Sequence, residues 1–343
     1  MIKNKDIVLL LGNGFSIDFI KTIGSTKIDL CNLFRYGDLV PWPADGIPGF
    51  LSHKHCPGLW HLGAKTQMSN SEANDLVEDV ITVANALALS SNKTINKTEQ
   101  LKLQYLCAYK ELVRYLKHLF VYYNNLVSDE DIKKSTTDWA WYDFFNYVKN
   151  NNIRVNIITY NYDIFLERCL TQWGIEYSVW LGDESPEANI MIYKPHGSIS
   201  FCHKTSNPLD SFEIKYDLEL GTGDINNFEL KYDKLNFNYA TDALIPPAGD
   251  SERYQHAWSK VIKKRIIEIA SNSNGKDEII VCGISYWHVD RNELDAFLTR
   301  VNPATELKVI NPNPNRAFTA VLSSLFPSFT SYQSADILTE VFK

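Results

Sequence analysis

Lys5-Asp6-Ile7-Val8-Leu9-Leu10-Leu11-Gly12-Asn13-Gly14-Phe15-Ser16 is the stretch whose reading decides the fold. Its apolar run is continuous rather than alternating, the pattern of a strand buried on both faces of a parallel sheet. The run stops in Gly-x-Gly, which allows a tight turn and a close approach of backbone to ligand. A helix starting there would turn its first N–H groups toward a phosphate. A nucleotide site near the N-terminus is therefore the first expectation. A dehydrogenase-type dinucleotide site is not, because Ile17 stands where the third glycine of that fingerprint belongs and no acidic residue closes a second strand at the required distance.

Working outward, the same kind of stretch recurs. Val155-Asn156-Ile157-Ile158 reads as a second buried strand ending in Thr159-Tyr160-Asn161-Tyr162-Asp163, with a helix from about Ile164 to Trp173 closed by Gly174. Ile190 to Tyr193 is a short strand ending in Lys194-Pro195-His196-Gly197-Ser198. Ile279 to Cys282 runs into Gly283-Ile284-Ser285, and Leu307 to Ile310 into Asn311-Pro312-Asn313-Pro314. Helices are expected from about Tyr254 to Ile269, from Arg291 to Arg300, and after Pro314 to about Leu325. In an open parallel sheet, ligands bind outside the carboxyl ends of the strands, so these polar clusters are expected to converge on one site.

Between the first two strands the pattern is helical. Leu76, Val77, Val80, Ile81, Ala84 and Leu87 form one stripe, and Leu101, Tyr105, Tyr109, Leu112, Leu116, Leu119 and Tyr123 form another, on a helix from about Thr98. An aromatic helix over Thr137 to Val148 follows, with Asp138 as its expected cap. The whole reads as one α/β domain over 1–343, a Rossmann-like parallel sheet with a mainly helical insertion at about 64–150. Residues 36–63 are a proline- and glycine-rich loop. Its His53, His55, Cys56 and His61 match no closed zinc spacing, so surface histidines explain them and no metal is expected. Residues 205–240 are acidic and read as hairpins.

Composition narrows the classes. A 45% hydrophobic and 13% aromatic content excludes a disordered chain. A net charge of −7 gives no whole-protein attraction to nucleic acid or to an anionic membrane. No apolar run reaches the length of a bilayer span or a signal-peptide core. The 6 cysteines contain no C-x-x-C pair and read as reduced thiols, the expectation for a cytoplasmic protein.

The ordered set of strand-end motifs resembles the sirtuin-like superfamily, and most closely the bacterial sirtuin-like NAD hydrolases of antiphage defence. The family's Gly-Ala-Gly-x-Ser turn is matched by Gly12, Gly14 and Ser16, within Gly12-Asn13-Gly14-Phe15-Ser16, with Asn13 in place of alanine. Its Thr-Gln-Asn-x-Asp motif is matched by Thr159, Asn161 and Asp163, with Tyr160 in place of glutamine. Its catalytic His-Gly is matched by His196 and Gly197, and its late turns more loosely by Gly283, Ser285 and Asn311. The resemblance implies a sirtuin-like NAD-binding sheet, NAD as substrate, Asn161 and His196 as catalytic residues, and the remaining matched positions as cofactor contacts. It also implies a defence role, with activity held in check by oligomerisation or by a separate sensor. The four-cysteine zinc ribbon of sirtuin deacylases is missing: Cys202 is followed by His203 and no second pair appears. That puts the acyl-lysine groove in doubt and favours hydrolysis.

Residue chemistry agrees. Cleaving the nicotinamide–ribose bond passes through an oxocarbenium-like state, and nicotinamide leaves without needing a proton. What helps is an amide that orients ribose and water, and a base near neutral pH, for which histidine has the suitable ordinary pKa. His196, between proline and glycine at a strand end, is read as that base rather than as a structural turn residue. Asn161 is read as the amide, although asparagine also suits turns for purely local reasons. Asp163 either orients the nicotinamide amide or caps the following helix, and both can hold. Ser16 has no base nearby and fits phosphate contact better than nucleophilic attack. Trp287, His288 and Asp290 either close over the adenine or begin the next helix. Two other outcomes stay open: a non-catalytic NAD- or ADP-ribose-binding subunit of a defence complex, and a deacylase or ADP-ribosyltransferase that shares the first half-reaction.

Overall fold

A computed structural model describes residues 5–89, 98–182, 188–216, 223–247, 256–286 and 291–341. The chain divides into two compact units, one of Met1–Ser25, Val127–Pro195 and Ser259–Lys343, the other of Thr26–Leu126 and His196–Trp258. In chain order the strands are β1 (Ile7–Leu11), β2 (Val155–Thr159), β3 (Ser178–Val179), β4 (Ile190–Tyr193), β5 (Gly197–His203) and β6 (Ser206–Asn207). They continue with β7 (Phe228–Leu230), β8 (Asn238–Tyr239), β9 (Asp242–Leu244), β10 (Glu278–Cys282), β11 (Glu306–Ile310) and β12 (Thr330–Tyr332). The helices are α1 (Asn13–Ile23), α2 (Pro57–His61), α3 (Asn70–Leu89), α4 (Thr98–Asn125), α5 (Asp129–Ser135) and α6 (Ala140–Asn150). After them come α7 (Phe165–Gln172), α8 (Ala257–Ser271), α9 (Arg291–Leu298), α10 (Arg316–Leu325) and α11 (Ile337–Val341).

The first unit is a 7-stranded sheet in the order β12-β11-β10-β1-β2-β4-β3, and every pairing is parallel. With its flanking helices this is a Rossmann-type α/β fold. All residues of β1 and β10 are buried, as the unbroken apolar run of β1 and the Ile279–Cys282 run of β10 require, with Glu278 of β10 paired to Lys308. The strand order reverses beside β1: β2, β4 and β3 lie to one side, β10, β11 and β12 to the other. That makes the β1–β10 exit the topological switch point, the place where open α/β sheets take ligands. Helices cover the sheet with an aromatic layer. Trp141, Phe144, Phe145 and Val148 bury one stripe of α6, Phe15 lies 5.3 Å from both Trp139 and Trp141, and Phe19 stacks on Phe165 at 4.9 Å.

The second unit is mixed. Its helices α2, α3 and α4 accompany an antiparallel sheet, β7-β5-β9, and a β6–β8 ladder. From α4, Arg114 donates to Asp242 at 2.8 Å and to the Tyr239 and Ala240 carbonyls, and Lys117 donates to the Ile199 carbonyl, so α4 is tied to β5 and the β8–β9 segment. Where hairpins are expected over 205–240, the described residues hold a β6–β8 ladder, Ser206 opposite Tyr239, with β7 between them in the chain paired to β5 instead. The helices between β1 and β2 divide: α2, α3 and α4 belong to this unit, α5 and α6 to the first.

The helix expected after the glycine turn begins at Asn13. One local reading is corrected. The aromatic helix starts at Ala140 with Trp139 at its N-cap, so Asp138 does not cap it. Before it stands α5, whose Ser128 and Asp131 form a capping box.

Candidate functional site

The switch point is built from three glycines in contact. Gly12 donates its N–H to the Cys282 carbonyl (3.0 Å) and Gly14 to the Gly283 carbonyl (3.1 Å). A Cβ on Gly14 would stand 2.4 Å from the Gly283 Cα, and one on Gly12 2.6 Å from the Gly283 carbonyl oxygen. Only glycine lets the two strand exits close on each other this tightly. Gly283 in turn donates to the Ile310 carbonyl (3.0 Å), and the Asn311 side chain donates to the Ile284 carbonyl (3.0 Å). The exits of β1, β10 and β11 are thus knitted together, with Asn13 and Ser285 exposed on their rim. The first turn of α1 also spends N–H groups internally, Gly14 on Gly283 and Phe15 on the Gly12 carbonyl (3.0 Å). A phosphate would meet fewer donors there than an uncapped helix start offers.

On the other side of β1 lies a polar chain running into the interior. Asn161 donates from Nδ2 to the Gly12 carbonyl (3.0 Å) and to Ser16 Oγ (3.0 Å). Ser16 Oγ donates to Asp163 Oδ2 at 2.7 Å. Because a carbonyl can only accept, the Gly12 contact fixes which end of the Asn161 amide is nitrogen. Both amide protons are therefore committed, and Oδ1 accepts no hydrogen bond among the described residues. Ser16 is fully buried with its proton given to Asp163, so it acts on the site through Asn161 rather than from the surface. The Thr159 hydroxyl accepts from the Asn161 N–H (3.2 Å) and tightens the same turn.

Asp163 is the hub. Its Oδ1 accepts from the Phe165 N–H (3.1 Å), so the helix-capping role exists, one residue outside the N-cap position that Ile164 occupies. Its own carbonyl accepts from Lys194 Nζ (2.5 Å), and Lys194 also pairs with Glu167 at 2.7 Å, both side chains 1% exposed. Burial pushes the Asp163 carboxyl up, with the Lys194 ammonium and the Ser16 hydroxyl pulling it partly back. Lys194 and Glu167 escaped sequence reasoning. A lysine at a strand end and a glutamate in a first helical turn are ordinary separately, and their pairing exists only in three dimensions.

His196 is the first residue of the second unit and is 2% exposed. Its carbonyl accepts from the Ile245 N–H at 3.0 Å. Gly197 has φ of +88°, and a Cβ there would stand 1.8 Å from the Ala243 carbonyl oxygen, so only glycine can follow this histidine. Ile158 of β2 is in register with Tyr193 of β4. Asn161 and His196 each lie three residues beyond that pair, one along each exit.

A further feature at the switch point had no sequence signal. Tyr286, next to Ser285, holds φ of +50°, uncommon for a bulky side chain. Its hydroxyl donates to Asp295 (2.6 Å) and its ring stacks on Phe318 at 4.7 Å. Trp287, His288 and Asp290 lie outside the described residues. Among those residues no cluster of three or more His, Cys, Asp or Glu side chains could hold a metal, and no helix is long and apolar enough to cross a membrane. Of the loop histidines, His55 stacks on Trp42 at 3.9 Å and Cys56 is buried.

No protein-family model matches the chain, and no curated protein matches it. Among solved structures it is similar to three mutants of Sir2 homologues, each described as an ADP-ribose complex. The first shares 15% identity at a TM-score of 0.40, over 98% of this chain and 90% of that one. The second shares 15% at 0.35, over 74% and 83%, and the third 14% at 0.33, over 76% and 86%. The fold class itself rests on the strand order and directions given above.

Proposed function

We propose that this chain is a sirtuin-like NAD glycohydrolase, cleaving NAD to nicotinamide and ADP-ribose. The observation that supports the reading is the register of β2 with β4: the candidate amide and the candidate base each follow, three residues further along the chain, one bonded pair, Ile158 and Tyr193. In this reading NAD is substrate, with its phosphates toward the Gly12–Gly14–Gly283 turn and its nicotinamide ribose toward Asn161. The C1′–N bond breaks, nicotinamide departs with the bonding electrons as a neutral ring, and water adds to C1′. Asn161 Oδ1 receives a hydrogen bond from the ribose or from the water, and His196 takes the proton that the water loses. Gly12, Asn13, Gly14, Phe15, Ser16, Thr159, Asp163, Gly197, Gly283, Ser285 and Asn311 bind or support the substrate. The family resemblance adds the physiological reading, an effector that empties NAD in an infected bacterium, switched by oligomerisation or by a sensor protein.

The test is nicotinamide release from NAD by the purified chain, with and without candidate activators. Asn161→Ala and His196→Ala should each lower kcat by at least ~100-fold while far-UV CD and the melting temperature stay near wild type. Turnover surviving both substitutions would remove the proposal. Two departures favour a second reading, a nucleotide-binding subunit without turnover: Asn13 and Tyr160 stand where the family pattern has alanine and glutamine. Calorimetry showing ADP-ribose binding, with no nicotinamide released under any condition, would select it.

A further inference from the structure

We infer that Ser259, on α8, is a positioning residue for His196. The inference rests on the catalytic reading of His196 for its kinetic consequences but not for its structural content. Ser259 is 2% exposed, and its hydroxyl donates to the Pro195 carbonyl at 2.7 Å, a buried contact between residues far apart in sequence. That carbonyl belongs to the peptide plane whose nitrogen is His196's own. The next plane is held through the His196 carbonyl by the Ile245 N–H, at 3.0 Å. A residue has only two soft backbone torsions, and here the peptide on each side of His196 is fixed by a hydrogen bond. Gly197 adds a third constraint. The place a Cβ would occupy there is closed by the Ala243 carbonyl at 1.8 Å and by the Trp258 ring at 3.0 Å, so no larger residue fits directly after His196.

Three contacts thus converge on three consecutive residues, and two come from adjacent residues of one helix, Trp258 and Ser259. Ser259 is the third residue of α8, inside the helix rather than at its N-cap. Its hydroxyl donates to another segment, and its loss would leave a buried carbonyl short of that donor, against only a small gain in helix propensity on going to alanine. The side chain would then act on the reaction only through the orientation of the Pro195–His196 peptide. Small misplacements of a reacting group are expensive in rate and nearly invisible in binding.

The test compares wild type, Ser259→Ala and Ser259→Thr by steady-state nicotinamide release and by NMR of histidine-labelled protein. The His196 resonances are assigned by their loss in His196→Gln, against the 8 histidines of the chain. Ser259→Ala should lower kcat by about 10- to 100-fold with KM within about twofold, and Ser259→Thr should restore most of it. The His196 imidazole signals should move or broaden in Ser259→Ala while those of the other histidines stay in place. If Ser259→Ala does not fold, Ser259→Cys, which keeps the volume with a weaker donor, carries the same expectation. Unmoved His196 signals, or a kcat within twofold of wild type, would overturn the inference. A wild-type protein that releases no nicotinamide would overturn the glycohydrolase reading alone, because the spectroscopic comparison still decides the role of Ser259.

Discussion

Replacing Lys194 by methionine gives the sharpest single test of the polar chain under the site. The ammonium is buried, pairs with Glu167 at 2.7 Å with both side chains 1% exposed, and donates to the Asp163 carbonyl at 2.5 Å. Methionine fills similar space but leaves the Glu167 carboxylate without its counter-charge. Breaking such a pair from one side costs about 3–5 kcal/mol, because the remaining charge has lost its water and its partner together. The Asp163 carbonyl loss is contained in that figure, since one ammonium makes both contacts. Lys194→Met/Glu167→Met removes both charges, and its deficit should shrink to about 1–2 kcal/mol. Urea unfolding followed by far-UV CD at pH 7 measures both.

The pH dependence supplies an internal check. Burial already holds the Asp163 carboxyl above its ordinary value, and Lys194 is the strongest group pulling it down. Without Lys194 the folded-state pKa rises further. A carboxyl raised in the folded state gives stability that is complete below its unfolded value of about 3.8 and is lost as pH climbs through the folded value. The single variant should therefore be least impaired near pH 4 and most impaired at neutrality. A Lys194→Met protein within ~1 kcal/mol of wild type at pH 7, or a double variant no better than the single, would refute the reasoning.

Two further outcomes follow from the packing. Burial pulls the His118 imidazole down to about 3, in a cage that includes Phe50 and Phe212, with Asp242 opposing and Lys117 and Arg114 reinforcing the shift. The unfolded chain takes that proton first, so stability is complete above about pH 6.5 and falls toward pH 3, by up to ~1.4 kcal/mol per pH unit. His118→Phe should flatten the dependence of the urea midpoint between pH 6 and 4, and an unchanged slope would count against the assignment. Gly14→Ala places a methyl 2.4 Å from the Gly283 Cα and should cost about 3 kcal/mol by overpacking backbone against backbone. Calorimetric loss of ADP-ribose binding should accompany it, and a normally stable Gly14→Ala protein would mean that the strand exits are not closed on each other.

The frame of the first unit was legible because burial on both faces favours apolar runs: β1, β2, β4, β10 and β11 announce themselves as segments rich in Ile, Val and Leu, even where Asn156 or Lys308 interrupts them. The glycines at their ends were legible for the same reason, since nothing larger survives where two strands exit together. What escaped lacks a local signature. β12 is three mostly exposed residues, Thr330–Tyr332, and owes its existence to the neighbouring edge of β11. β5 carries Ser198, Ser200 and Cys202, small residues buried between β7 and β9 that do not look like a strand by themselves. α5 did have a signal, the Ser128–Asp131 spacing of a capping box, but it precedes only one buried apolar residue, Ile132. In the candidate site, Asn161, Asp163 and His196 were visible as polar residues at strand ends. Their wiring was not, because Ser16–Asp163, Lys194–Glu167 and Ser259–Pro195 all join segments that meet only after the sheet is assembled.

The pairing of β1 with β10 fixes when, during synthesis, the glycine turn can exist at all. Leu11 must wait for Cys282, and Gly14 for Gly283, so the ribosome has produced most of the polypeptide before the two strand exits can meet. Contacts between such distant segments form late, after nearer ones have compacted the chain. A prematurely ended product lacking its last quarter would carry Gly12 and Gly14 but neither Cys282 nor Gly283, so the turn could not close.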